Sequence, residues 1–118
     1  MTLRFSGSLR QNHLFRRLYQ KGKSAVGSFM VLYCRPNGTA FNRVGVTVSV
    51  KLGCAVRRNR IRRRLREIYR LNEEQFLPGF DLVVVARGRA AHAQYRELER
   101  EYLALAKRLR LLRTEAPS

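Results

Sequence analysis

Arginine is concentrated in residues 55–70, which read AVRRNRIRRRLREIYR and hold eight arginines in sixteen residues. A guanidinium group is a planar fork of N–H donors that matches the oxygens of a phosphate or a carboxylate two at a time. The segment contains a single acid, Glu67, so its arginines are not balanced by acids close in the sequence. These residue types predict the binding of an anion that offers many oxygens.

The spacing of apolar residues in this segment predicts an amphipathic helix. Four apolar residues fall at i, i+4, i+7 and i+8, which is one side of a helix that turns about 100° per residue. They are Ile61, Leu65, Ile68 and Tyr69. The opposite side carries Asn59, Arg62, Arg63, Arg66 and Arg70. We expect the first set to face a core and the second set to face the anion.

This helix is electrostatically unfavourable by itself. Arg57, Arg58 and Arg60 lie in its first turn, where the helix dipole is positive and an acid would be stabilising. Pairs of arginines at i and i+4 recur along it, and each pair costs roughly 0.2 to 0.5 kcal/mol. A charged face that only meets water normally mixes both signs, so the binding interpretation is favoured over the purely structural one.

The charge of the whole chain predicts the same kind of partner. Its 118 residues include 25 basic and 8 acidic side chains, for a net charge of +17. Residues 1–66 hold sixteen bases and no acid, whereas residues 67–118 hold nine bases and eight acids. Such an excess of positive charge predicts that the binding partner is a polyanion. Because no apolar run approaches the roughly 18 residues that span a bilayer and no signal-peptide core follows Met1, we expect a cytoplasmic protein without a membrane partner.

Residues that could catalyse a reaction by themselves are sparse. Cys34 and Cys54 have no metal-ligand spacing, and His13 and His92 have no sequence neighbour suited to nucleophilic catalysis. The acids form no DxD or ExxE pair before the C-terminal region, although a metal nuclease needs carboxylates to hold its ions. An enzyme that cuts nucleic acid alone is therefore disfavoured.

A DNA-reading transcription factor is a third alternative. Its recognition helix would carry varied base-reading side chains such as Asn and Gln, and in the arginine-rich segment only Asn59 is of that kind. The residues favour an RNA-binding subunit that clamps a folded RNA through its phosphates.

The first half of the chain predicts one helix and two strands in a single domain, 1–118. Residues 1–10 predict an extended lead-in, and a first helix is expected from Asn12 to about Tyr19. Residues 29–35 and 43–50 have strand character and are separated by the turn sequence Pro-Asn-Gly. We expect these two strands to pair as an antiparallel hairpin.

The second half predicts a buried strand and a long helix. Residues 81–87 form a continuous apolar run, typical of a central strand buried on both faces, so the arginine-rich helix crosses between two strands as a β-α-β unit. Residues 92–112 carry an apolar stripe expected to pack on the sheet rather than to form a coiled-coil dimer. Residues 113–118 predict a disordered tail. The expected class is α+β, ordered α-β-β-(β)-α-β-α around a central mixed sheet.

The second face of the predicted hairpin has two possible uses. Gly45, Thr47 and Ser49 are small, and Phe29 and Tyr33 supply rings in the neighbouring strand. Small residues beside rings suit an extended single strand whose bases stack on the rings. A face that simply meets water would have the same composition, and the residues alone favour neither use.

Residues 43–63 carry a pattern more specific than charge. Arg43-Val44-Gly45-Val46-Thr47-Val48-Ser49 is followed by Lys51-x-Gly53-x-Ala55-Val56-x-Arg58-Asn59-Arg60 and then by Arg62 and Arg63. This order of glycines, asparagine and arginines closely resembles the signature of the bacterial ribonuclease P protein component, with its "RNR" helix. The resemblance runs from the first helix through residues 81–87 and so covers nearly the whole chain.

The resemblance implies a holoenzyme in which a large RNA carries out catalysis and this small protein assists. The reaction is endonucleolytic removal of the 5′ leader from precursor tRNA, with Mg²⁺ held mainly by the RNA and none bound by the protein alone. The implied partners are ribonuclease P RNA and precursor tRNA, with no small-molecule substrate and no catalytic residue in the protein. The implied fold is ribosomal protein S5 domain 2-like, with a left-handed β-α-β crossover.

The resemblance also implies two sets of binding residues. Those for the catalytic RNA are Lys51, Arg57, Arg58, Asn59, Arg60, Arg62, Arg63 and Arg66. Those for the precursor leader, in a cleft between the first helix and the sheet, are Phe15, Arg17, Tyr19, Lys21 and Tyr33. The chain departs from the family pattern at Val50, where many members have a lysine, at Arg62, where lysine is common, and at Tyr19, where phenylalanine is frequent.

Overall fold

The computed structural model describes residues 6–8 and 12–113 of the chain. Its strands and helices, in chain order, are β1 (Ser6–Ser8), α1 (Asn12–Lys21), β2 (Lys23–Val26), β3 (Met30–Pro36), β4 (Asn42–Thr47), α2 (Ala55–Asn72), β5 (Phe80–Ala86) and α3 (Tyr95–Arg108). Short 3-10 turns flank α2 and precede α3, at Val50–Leu52, Glu73–Gln75 and Gly88–His92. The predicted lead-in lies outside the described residues except for β1, and the predicted tail lies outside them except for Arg113.

The five strands form one mixed sheet in the order β1-β4-β5-β3-β2. The central strand, β5, pairs in parallel with β4 and antiparallel with β3. The α+β class is confirmed, and so is the β-α-β unit, because α2 connects the parallel neighbours β4 and β5. The left-handed crossover stays a prediction from the resemblance.

The predicted hairpin between the strands at 29–35 and 43–50 is wrong. Strand β5 lies between β3 and β4, so the two strands do not pair with each other. The physical reason is burial. The continuous apolar run of β5 must be covered on both faces and both edges, and it therefore takes the central position that a local hairpin would have closed.

The two faces of β5 belong to two clusters of buried side chains. Leu82 and Val84 lie in the larger core, which α2 and α3 cover. Val83 packs with Leu18 of α1 on the other face. The prediction of a strand buried on both faces is confirmed. The sheet is therefore a layer between the helix pair α2 and α3 on one side and α1 on the other.

Helix α2 buries the face that its apolar spacing predicts. Ile61, Leu65, Ile68 and Tyr69 are all buried. The helix is also held at one end by Asn42, a buried polar residue at the start of β4. The Asn42 Nδ2 donates to the Tyr69 hydroxyl at 3.1 Å, and its Oδ1 accepts from the Phe80 backbone N–H at 2.8 Å. This amide links the starts of both parallel strands to α2.

Strand β4 ends at Thr47, three residues earlier than predicted. Ser49 ends it, because its Oγ accepts the Lys51 backbone N–H at 3.2 Å and starts a 3-10 turn. Val50, the last residue of the predicted strand, is 73% exposed. Gly53 follows this turn with a φ of 130°, which lies in the region that favours glycine.

Helix α3 is shorter than predicted, since residues 88–92 form a separate 3-10 turn. Leu98, Tyr102 and Leu105 are buried in the core, so packing of this stripe within the domain is confirmed. Glu101 ties α3 to the sheet: its two carboxylate oxygens accept the backbone N–H groups of Ser28 at 2.6 Å and Phe29 at 2.7 Å. Among the described residues, no helix is long and apolar enough to cross a membrane.

Replacing Glu101 by glutamine should lower the free energy of unfolding by about 1 kcal/mol, because one of the two backbone N–H groups then meets an amide donor instead of an oxygen. Urea unfolding measures the change. Arg100→Gln, an exposed neighbour on the same helix, is the control and should stay within about 0.5 kcal/mol of the unsubstituted chain. Equal stability of the two variants would contradict the assigned role of the carboxylate.

Candidate nucleic-acid interface

The exposed face of α2 is rich in guanidinium groups. Arg57, Arg60, Arg63 and Arg66 are exposed along it, together with Asn59. The helix carries eight arginines, and its one acid, Glu67, accepts hydrogen bonds from the Arg70 guanidinium. That hydrogen bond lowers the pKa of the Glu67 carboxyl. The acid is therefore committed to Arg70, at the far end of the helix from its N-terminal arginines.

Two of the predicted RNA-binding arginines also have contacts within the chain. The Nε of Arg58 donates to the Gly53 carbonyl at 3.2 Å and so holds the turn before α2. The Nη1 of Arg62 donates to Asn59 Oδ1 at 2.8 Å. Both residues are half-buried. A substitution at either position would therefore disturb local structure as well as charge.

The turn before α2 extends the basic face towards the sheet. Lys51 is exposed in it, four residues after the end of β4. Cys54 is the N-cap residue of α2 and is exposed, and the backbone N–H of Arg57 lowers the pKa of its thiol. Cys34 is buried in β3, and burial raises its pKa. Both cysteines are free.

Aromatic side chains lie on the opposite side of the sheet from α2, where α1 packs. The rings of Tyr19 and Tyr33 meet edge to face with centroids 4.9 Å apart, and the Tyr19 hydroxyl lies 3.5 Å from Thr47 Oγ1. Phe15 is half-buried against Leu18. These contacts bring side chains of the first helix and of the sheet together on this face.

An open depression of about 550 Å³ lies between α1 and β4. It is lined by Phe15, Arg16, Tyr19 and Thr47, and we call it the aromatic cleft. Tyr33 borders it through its contact with Tyr19. Tyr19 is 42% exposed, so its ring is available to a ligand. A groove with rings, small residues and a guanidinium group can hold an extended single strand of nucleic acid.

The charged residues of the cleft differ from those predicted. Arg16 lines it, whereas Arg17 lines a separate pocket with Arg43 and Asp81. Lys21 is exposed at the end of α1 and is not among the lining residues. Helical spacing could have identified Arg16, because it stands three residues before Tyr19 and therefore on the same side of α1. The small-residue pattern of β4 did point to Thr47.

The described part of the chain offers no cluster of three His, Cys, Asp or Glu side chains that could hold a metal ion. Mg²⁺ requires oxygen ligands in octahedral geometry, and no such set is present among these residues.

The sequence matches the profile of the family described as Ribonuclease P over residues 3–110. The chain belongs to the ribonuclease P protein family. It is 44% identical to the ribonuclease P protein component of Alkaliphilus oremlandii over 104 residues, which cover 88% of this chain and 91% of that protein. Identity to the Natranaerobius thermophilus protein component is 41% over 105 residues, covering 89% of this chain and 91% of the relative.

Solved structures of the ribonuclease P protein family have the same fold. The Staphylococcus aureus protein superposes with a TM-score of 0.84 at 29% identity, covering 92% of this chain and 99% of that one. The Thermotoga maritima protein superposes with a TM-score of 0.79 at 33% identity, covering 86% of this chain and 96% of that one. Membership associates the chain with ribonuclease P, a tRNA-processing ribonucleoprotein, and the resemblance noted in residues 43–63 is confirmed.

Proposed function

We propose that this chain is the protein subunit of a cytoplasmic ribonuclease P holoenzyme. In this proposal it binds the catalytic RNA through α2 and the 5′ leader of precursor tRNA through the aromatic cleft. The observation that supports it is the presence of two surfaces of different chemistry, one rich in arginine and one lined by aromatic rings, joined by one short connection. Thr47 lines the cleft, and Lys51, four residues later, begins the basic face.

The exposed face of α2 suits a folded RNA. Folded RNA brings phosphates of several strands close together, and arginine forks bind phosphate oxygens in pairs. The like-charge repulsion within α2 is relieved when phosphates lie beside it, so binding also stabilises the helix. We assign binding of the catalytic RNA to Lys51 and to those arginines of this face that the resemblance identifies.

The aromatic cleft suits an unpaired strand. Bases of a single strand can stack on an exposed ring such as Tyr19, and stacking tolerates any sequence because every base has a π-face. Arg16 can pair with a phosphate of the same strand. A leader that varies in sequence between precursors needs recognition of this kind, whereas mature tRNA has no leader to place in the cleft.

The protein in this proposal binds and positions, and the RNA subunit carries out hydrolysis. Mg²⁺ held mainly by the RNA supplies the Lewis acid and the activated water of the reaction. By neutralising phosphates where RNA and precursor meet, the protein lowers the Mg²⁺ concentration that the assembly needs. This division of roles agrees with a protein whose described residues present phosphate donors and stacking rings.

Processing of a precursor tRNA by a bacterial ribonuclease P RNA tests the proposal. At low Mg²⁺ we expect accurate removal of the 5′ leader only when RNA and protein are both present, and no cleavage by rigorously RNA-free protein. Mature-length product on a denaturing gel is the readout. Binding of the RNA without any stimulation of cleavage would contradict the proposal and favour a basic RNA chaperone.

A further inference from the structure

A second pocket on the α1 side of the sheet contains three arginines and one acid. It has a volume of about 160 Å³, and its lining includes Arg17 of α1, Arg35 of β3, Arg43 of β4 and Asp81 of β5. Asp81 is the register partner of both Arg35 and Arg43. Directly opposed residues share a face of a sheet, so the three side chains form one row. We call this site the arginine pocket.

The acid of the arginine pocket is engaged by one arginine and one amide. Asp81 Oδ1 accepts from Arg43 Nε at 2.7 Å and Oδ2 accepts from Arg43 Nη2 at 2.9 Å, a bidentate pair. The Asn37 Nδ2 donates to the same Oδ1 at 3.1 Å. One carboxylate with these partners cannot neutralise three guanidinium groups. The pocket retains an excess of positive charge.

Arg35 carries a donor that is left without an acceptor. Its Nη1 is buried from water and makes no hydrogen bond to any part of the chain that the structure describes. A buried N–H group of a charged side chain that has lost water without gaining an acceptor is unfavourable. An anion seated in the arginine pocket would offset the excess charge, and rotation of the Arg35 side chain towards it would give the guanidinium group an acceptor oxygen.

We propose that the arginine pocket binds a backbone phosphate of the precursor tRNA leader, an inference that rests on the proposed function of the aromatic cleft. The two sites are adjacent on two elements. Arg16 lines the cleft and Arg17 lines the pocket. Tyr33, which contacts Tyr19, stands two residues from Arg35 on β3, a distance of about 7 Å along a strand.

This spacing determines which phosphate the pocket takes. About 7 Å along a strand is comparable with one nucleotide step of an extended single strand. The phosphate therefore belongs to the nucleotide stacked in the cleft or to one next to it. Arg35 and Arg17 donate to its oxygens, and Arg43, fixed by Asp81, contributes charge without changing partner. Asn37 keeps the Asp81 oxygen engaged, which limits its repulsion of the phosphate.

The test compares Arg35→Gln with the unsubstituted protein in the reconstituted holoenzyme. We expect affinity for leader-bearing precursor tRNA to fall about ten- to hundredfold, as for loss of one charge-assisted hydrogen bond, and affinity for mature tRNA to stay the same. Arg100→Gln removes an exposed arginine of α3 and is the matched control. Arg35→Lys keeps the charge and loses the fork, so it should give an intermediate affinity.

A chemical change in the leader identifies the contact directly. Precursors with one uncharged methylphosphonate at successive leader positions should show a single position that weakens binding to the unsubstituted holoenzyme. The same substitution should have no further effect with Arg35→Gln, because the two changes remove one interaction. Additive losses at every position would overturn the inference.

Three further outcomes separate this inference from the proposed function. Full precursor affinity of Arg35→Gln, with loss in Phe15→Ala/Tyr19→Ala, overturns the arginine pocket and leaves the leader function standing. Full affinity of both variants overturns both. Thermal stabilisation by sulfate that requires Arg35, without any change in leader affinity, shows a free-anion site and overturns the assignment to RNA. Thermal unfolding of each variant confirms that it is folded.

Discussion

Replacing Arg63 and Arg66 together by glutamine should weaken binding to ribonuclease P RNA by roughly ten- to hundredfold near 0.1 M salt. Both guanidinium groups are exposed one turn apart on α2. Unlike Arg58 and Arg62, neither makes a side-chain hydrogen bond to a loop or a neighbouring side chain among residues 6–8 and 12–113. Their loss therefore removes phosphate contacts and also relieves repulsion within the helix, so the folded chain should be at least as stable.

The salt dependence of this binding separates phosphate contact from indirect effects. A plot of log affinity against log salt concentration should become shallower by about one to two units for the double variant, because about two fewer counterions are released. The control Arg96→Gln/Arg100→Gln removes two exposed arginines from α3 and should leave the slope close to that of the unsubstituted protein. The same slope for both double variants would contradict the role of the α2 face.

Replacing Phe15 and Tyr19 together by alanine should reduce the preference of the holoenzyme for precursor over mature tRNA by about 2 to 4 kcal/mol if both rings contact bases. The two rings are the aromatic lining of the cleft. The readout is the ratio of dissociation constants for the two substrates, because damage to the catalytic-RNA interface would lower both affinities equally.

Two controls accompany this measurement. Tyr19→Phe keeps the ring and loses only the 3.5 Å contact with Thr47 Oγ1, so it should retain most of the preference. Phe41→Ala removes a phenylalanine that is 62% exposed away from the cleft and should retain all of it. Equal loss for precursor and mature tRNA in the double variant would mean that the cleft does not hold the leader.

Elements with strong periodic spacing could be predicted from the sequence. The buried face of α2 agrees residue by residue, from Ile61 to Tyr69, because four apolar residues among many arginines allow only one orientation. The burial of β5 on both faces could also be predicted, since its apolar run does not alternate with polar residues. The order of the strands in the sheet could not be predicted, because local spacing carries no information about which distant strand becomes a neighbour. For that reason the hairpin prediction failed.

The binding residues could be predicted where a helix presents them and less well where side chains from three elements converge. The α2 face follows from one helical wheel. The cleft and the arginine pocket both depend on how α1 crosses the sheet, and that crossing assigns Arg16 to one site and Arg17 to the other. Arg35 gave no signal in the sequence. Its position in the arginine pocket follows only from the strand pairing, which places Asp81 of β5 beside it.

The central position of β5 in the sheet also determines when the sheet can fold during synthesis of the chain. All the lysines and arginines of the first half of the chain leave the ribosome before Phe80 does. Strands β3 and β4 have no shared partner until β5 (Phe80–Ala86) has emerged. Contacts between distant parts of a chain form late and at an entropic cost. A nascent chain shorter than 80 residues thus exposes its arginines on an unfinished sheet. Any truncation before this strand would abolish the cleft, the pocket and the support of α2 together.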